Sequence, residues 1–197
     1  LMGPNARSVI QAIKKIDQLP SIKTIAIGHG PILNFNTKFW LENYREWSQK
    51  RNKGDEYAVV CYLSQYGFCD RLSQSIAHGI GKANAQVQLV DLIASDKQEL
   101  SALISEASAV VVPTWPIEAD SELQSNIGTL VASLKPKQWV ATYDSYGGNE
   151  EPIDFIVNQL RKLGQKEAFK PLRVHEEPNK NIYQEFEEAG TDLGQIL

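Results

Sequence analysis

The sequence predicts an α/β fold built on a parallel, doubly wound, five-stranded sheet, and three observations carry that expectation. From Tyr57 on, short apolar runs alternate with stretches of helical periodicity. The run Tyr57–Leu63 is rich in strand formers and far too short to cross a membrane. It leads through a short polar loop, Ser64-Gln65-Tyr66-Gly67-Phe68-Cys69, straight into a helical pattern with Leu72, Ile76 and Ile80 on one face. Asp70 reads as the cap of that helix, with Gly79/Gly81 near its stop.

Before Tyr57 the pattern differs. Val9, Ile10, Ile13 and Ile16 give an apolar face to a helix from about Asn5 to Gln18, which Pro20 ends. Thr24 to Ile27 reads as a short strand running into Gly28-His29-Gly30-Pro31. One helix and one strand bury too little to stand alone, so residues 1–34 read as the tail of a larger domain. Asn36 or Thr37 caps a helix to about Lys50 that carries Phe39, Trp40, Tyr44 and Trp47, a load best explained by core or interface packing. The polar segment Arg51–Asp55 is a hinge, which places 35–54 as a connection and 55–197 as the main domain.

Within that domain Gln86–Asp91 is the second strand, and a helix from about Asp96 to Ala107 leads into the apolar strand Ala109–Val112. The loop Pro113–Asp120 precedes a helix to about Ser133, and Trp139–Tyr143 is the fourth strand. Ile153, Phe155, Ile156, Leu160 and Leu163 mark the next helix, closed by Gly164. Leu172–His175 is the fifth strand, and the last helix runs from about Asn179 to Ala189.

The formal net charge of −4 argues against nucleic acid or an anionic membrane as partner. No apolar run approaches the about 20 residues of a membrane helix, and no leader is visible at the start. Cys61 lies in a strand and Cys69 in a loop, with no further ligands at metal spacing, which fits a reduced, cytoplasmic compartment.

In a doubly wound sheet the ligand site lies outside the carboxyl ends of the strands at the switch point. Three loops meet there: Ser64–Asp70, Pro113–Asp120 and Asp144–Asn149. The first offers backbone N–H groups at a helix start and the hydroxyls of Ser64 and Tyr66, donors suited to a phosphate monoester. Trp115 on the second and Tyr146 with Gly147-Gly148 on the third suit a planar heteroaromatic ring, so the set favours flavin mononucleotide (FMN). A phospho-receiver domain shares the topology but needs paired acids, an Asp and a Lys where this chain has Ser64, Pro113 and His175.

These pieces, in this order, resemble flavodiiron proteins of the cyanobacterial type. The carrying residues are Gly28-His29-Gly30-Pro31, Ser64-Gln65-Tyr66-Gly67, Pro113-Thr114 and Ser145-Tyr146-Gly147-Gly148, with the aromatic helix and Glu187–Gly190 also in place. Residues 57–190 are similar to the flavodoxin-like domain, and residues 1–34 to the end of the preceding metallo-β-lactamase-like domain. The resemblance implies a three-layer flavodoxin-like fold with strand order 2-1-3-4-5. It implies FMN as the carrier of electrons to a diiron site that reduces dioxygen to water, or nitric oxide in some members. It also implies a head-to-tail partner subunit and a flavin reductase domain beyond Leu197. His29 would stand at the last iron-ligating position, though one histidine holds no iron by itself. His78 and His175 read as structural.

The chain departs from the family pattern in ways that push toward weak or absent FMN binding. Phe68 and Cys69 stand where the family has Asn and Thr, a lost hydroxyl worth about 1 kcal/mol. Trp115-Pro116-Ile117-Glu118 lacks the family's glycines, and Pro116 removes a backbone donor. Glu150 and Glu151 add negative charge near a phosphate. Two readings therefore stand: an electron-transfer module of an oxygen reductase, or the same fold with a self-occupied pocket serving as a structural or regulatory subunit.

Overall fold

The computed structural model describes residues 6–26, 28, 30–51, 56–64, 68–115, 120–145, 152–175 and 177–197. The chain divides into two compact units, Leu1–Asp55 and Glu56–Leu197.

In the first unit α1 (Ala6–Ile16) packs on α2 (Thr37–Arg51), with Ile13 buried on the apolar face of α1. Arg45 of α2 forks onto both carboxylate oxygens of Asp17 at 2.8 and 2.9 Å. The strand expected at Thr24–Ile27 is reduced to a single antiparallel bridge, Ile25 to Leu33. A strand needs a ladder, and among the described residues only this one pair meets, with Gly30 between them at φ 137°. The Thr37 hydroxyl does not cap α2 but donates to the Ile22 carbonyl at 2.9 Å. Nor is the aromatic helix fully packed: Phe39 is 59% exposed and Trp47 51%. Their rings instead meet Trp40 and Tyr44 edge-on, each at 5.4 Å between centroids.

The second unit alternates strand and helix as the periodicity predicts. Its elements are β1 (Tyr57–Tyr62), α3 (Cys69–Lys82), β2 (Gln86–Asp91), α4 (Lys97–Glu106), β3 (Ala109–Pro113) and α5 (Ser121–Ser133). They continue with β4 (Trp139–Ser145), α6 (Pro152–Lys162), β5 (Lys166–Glu167), β6 (Leu172–Val174) and α7 (Lys180–Gln195). All pairings are parallel, in the order β2-β1-β3-β4-β5, with β6 also on β4. This is the flavodoxin-like order 2-1-3-4-5. Alternate residues feed opposite faces: Val59, Cys61, Val110, Val112 and Val140 pack with α4, α5 and α6. Ala58, Val60, Val111, Ala141 and Tyr143 pack with α3 and α7. Burial on both faces is why β1 and β3 are continuously apolar. Cys61 and Cys69 fall in clusters on opposite faces and are both free thiols.

Three boundaries differ from the sequence expectation, each for a physical reason. The fifth strand is split, because after the Ala168 N–H bonds to the Val140 carbonyl the segment Phe169–Pro171 leaves the β4 edge before Leu172. Helix α3 starts one residue before Asp70, with Phe68 at the cap position and Asp70 in the first turn, where its charge suits the helix dipole. Gly79 and Gly81 lie in the last turn of α3, near its stop as expected, and Asn84 follows in the left-handed region at φ 64°. Helix α7 runs past Ala189 to Gln195, since Gly190 and Gly194 serve close packing rather than termination. Asp96, Asp120 and Asn179 cap α4, α5 and α7, each accepting two backbone N–H groups.

Candidate functional site

The carboxyl ends of β1, β3 and β4 come together at the start of α3, where the switch point lies. Of the residues the sequence singles out, the structure places Ser64, Phe68, Cys69, Pro113, Thr114, Trp115 and Ser145 around this point. Gln65, Tyr66, Gly67, Pro116, Tyr146, Gly147, Gly148 and the proposed ligand His29 lie outside the described residues, as do Glu150 and Glu151.

Among the described residues no side chain caps the start of α3, and the N–H groups of its first turn have no partner within the helix. The Phe68 N–H donates to Ser145 Oγ at 3.1 Å, tying the loop after β1 to the end of β4. The Ser64 N–H reaches Asp91 Oδ1 only weakly, at 3.4 Å. Tyr143, fully buried, donates its hydroxyl to the carbonyls of Cys61 at 2.9 Å and Cys69 at 3.3 Å. It thereby ties the end of β1 to the first residue of α3. Tyr143→Phe is expected to cost about 1–2 kcal/mol, read as a lower urea midpoint at unchanged slope.

Cys69 occupies a place that would suit a hydroxyl donor. Its thiol is buried, and burial, with the Asp144 and Asp70 charges behind it, pushes its pKa up to about 12. It is therefore a neutral thiol that brings no negative charge to an anion at the helix start. Trp115 is half-buried and packs against the cluster under α4 and α5. Phe68 packs against the cluster under α3 and α7.

One participant is absent from the sequence reading. Asp144 reads there only as the head of a loop, yet it belongs to β4 and is 1% exposed. Its Oδ1 accepts the Thr114 hydroxyl, while Oδ2 has no hydrogen-bond partner among the described residues. An acid directly after the apolar run Trp139–Tyr143, at the end of a central strand, is the signal that points to it.

Residues 60–190 match the flavodoxin family. The chain belongs to that family. Along its whole length this flavodoxin-family chain is 46% identical to diflavin flavoprotein A 1 of Synechocystis, covering 34% of that protein. It therefore spans about a third of the curated relatives it matches. A flavodoxin-like domain from Synechococcus superposes with a TM-score of 0.67 at 44% identity, over 71% of this chain and 96% of that one. A metal-soaked flavodiiron core from Synechocystis covers all of this chain and 49% of its own, with a TM-score of 0.75 at 29% identity. Among the described residues, no three His, Cys, Asp or Glu side chains gather as metal ligands, and no helix is long and apolar enough to cross a membrane.

Proposed function

We propose that this chain is the electron-carrying module of a longer flavodiiron-type oxygen reductase, with FMN seated at the ends of β1, β3 and β4. The observation that carries this reading is the start of α3, a helix of 14 residues that opens at the switch point with no side-chain cap among the described residues. Such a start attracts a phosphate through free N–H groups and the helix dipole. The family match and the diflavin names of the relatives support the choice of flavin. The residues present fit the group on two counts. The Cys69 thiol is neutral beside the anion, and the free Asp144 oxygen offers a ring a polar contact. When bound, FMN supplies a carrier that takes electrons singly or in pairs.

The chain's own residues hold that carrier and keep water from it. Ser145 and Phe68, joined by a hydrogen bond, form one wall, and Trp115, packed against the core cluster, offers a second. In this reading electrons pass to a diiron site of the whole protein, where dioxygen is reduced to water. Residues 1–34 are the end of its metallo-β-lactamase-like domain, with His29 at one iron-ligand position, and residues 35–54 are the connection. A head-to-tail partner subunit brings one flavin near the other subunit's irons, in the cytoplasm.

A second reading has its own observation. The Phe68–Ser145 bond and the seating of Trp115 against the core close the loops on themselves. A chain of that kind serves as a structural or regulatory subunit of a flavodiiron dimer. Titration of the purified chain with FMN, followed by fluorescence quenching, separates the two. The carrier reading expects submicromolar binding that Trp115→Gly weakens by about 1 kcal/mol through lost ring contact. No binding by the parent chain, gained in Trp115→Gly, supports the self-occupied pocket and overturns the carrier.

A further inference from the structure

Side chains alternate along β4, and the residues flanking Asp144 face α3. The Tyr143 hydroxyl and Ser145 Oγ bond to Cys69 and Phe68 at the helix start. Asp144 therefore faces away from the anion site, toward Thr114 at the end of β3, which the alternation of β3 places on the α4–α6 side. An ionised carboxyl there would give up its water for a few protein partners, the Thr114 hydroxyl first among them. Desolvation pushes its pKa above the usual carboxylate range, against the opposing pull of the Thr114 hydroxyl, the Ser145 backbone, Arg173 and His175. Arg173 lies opposite it on β6, His175 follows on the same segment, and the Cys69 thiol of α3 lies within reach of its charge.

Oδ1 already accepts from Thr114, so in the neutral acid the proton belongs on Oδ2, where it forms a donor with nowhere to go. A donor left unmade in a dry site costs more than one that meets an acceptor, and a flavin ring edge presents such acceptors in its carbonyl oxygens and ring nitrogens. We propose that Asp144 is a contact residue of the flavin site, its free Oδ2 presenting a hydrogen-bond donor to the ring edge. The inference rests on the flavin reading above. It makes ring affinity depend on a proton held on the protein: the ionised carboxyl loses the donor and sets its lone pairs against the ring's own.

The test uses riboflavin, which has no phosphate to titrate, beside FMN, in the chain as it stands and in D144N and D144A, from pH 5 to 8. The amide introduced by D144N keeps the shape and a donor but cannot ionise. That variant should bind riboflavin with no loss as pH rises. The parent should weaken by up to about tenfold per pH unit above the pKa of the carboxyl, and D144A should be weaker at every pH. Thermal melts before titration confirm that each variant is folded. Equal pH slopes in the parent and D144N, or full affinity in D144A, overturn the role of Asp144 while the flavin reading stands. Absence of flavin binding in every variant at every pH overturns both.

Discussion

Gly79→Ala is expected to destabilise the second unit by about 3 kcal/mol, although alanine is the better helix former. A Cβ on Gly79 would run into the Glu187 carbonyl oxygen of α7 and lie 2.7 Å from the Thr191 nitrogen. Both obstacles are backbone, so no rotamer change relieves them. Gly190 mirrors the contact from the other helix, its Cβ position blocked by the Ile76 carbonyl. The two glycines let α3 and α7 approach closely, and that pair covers one whole face of the sheet. Gly128 supplies the control: it lies inside α5 with nothing within 4 Å of a built Cβ. Gly128→Ala should stabilise by about 0.5–1 kcal/mol through the entropy of the unfolded chain. Urea midpoints moving in opposite directions for the same chemical change would establish the contact; a neutral Gly79→Ala would refute it.

Phe186→Ala is the second large effect, expected to cost about 3–5 kcal/mol. Phe186 is 1% exposed and meets Tyr143 edge-on at 6.0 Å and 86°. Removing its ring leaves a cavity directly behind the tyrosine that ties β1 to the start of α3. The variant should therefore lose stability and also loosen the helix start. Hydrogen exchange would show the second effect as faster exchange at Leu72, whose N–H donates back to the Phe68 carbonyl at 3.0 Å. Phe186→Leu, which refills most of the volume, should recover more than half of the loss. A Phe186→Ala chain as stable as its parent would mean that α7 is held by the glycine contact alone.

Much of the second unit is legible in the sequence because its signals are local. Uniformly apolar runs mark β1 and β3, and Asp96, Asp120 and Asn179 each announce a helix from one residue away. Gly164 ends α6 in the left-handed conformation, at φ 76°, that its type suggests. The fifth strand is less legible, since Lys166–Val174 mixes charges, an aromatic and Pro171, and its split depends on which residues β4 has free to pair. In α2 residue type says what packs well but not against what: Phe39 and Trp47 are exposed in this chain and pair only with Trp40 and Tyr44 among the aromatic contacts of the described residues.

By itself the sequence determined the fold class, the place of the switch point and the residue types that surround it. Right-handed crossovers set which face each helix covers, the family resemblance implies the strand order, and site position follows from that order. Only the tertiary structure decided what Gly79, Gly190 and Asp144 are for. A glycine reads as a stop until a second helix is seen pressed against it, more than a hundred positions away in sequence. An acid at a strand end reads as solvated loop until Thr114, on the neighbouring strand, is found closing over it. Both are facts about desolvation and close approach between distant segments, and no local pattern encodes those.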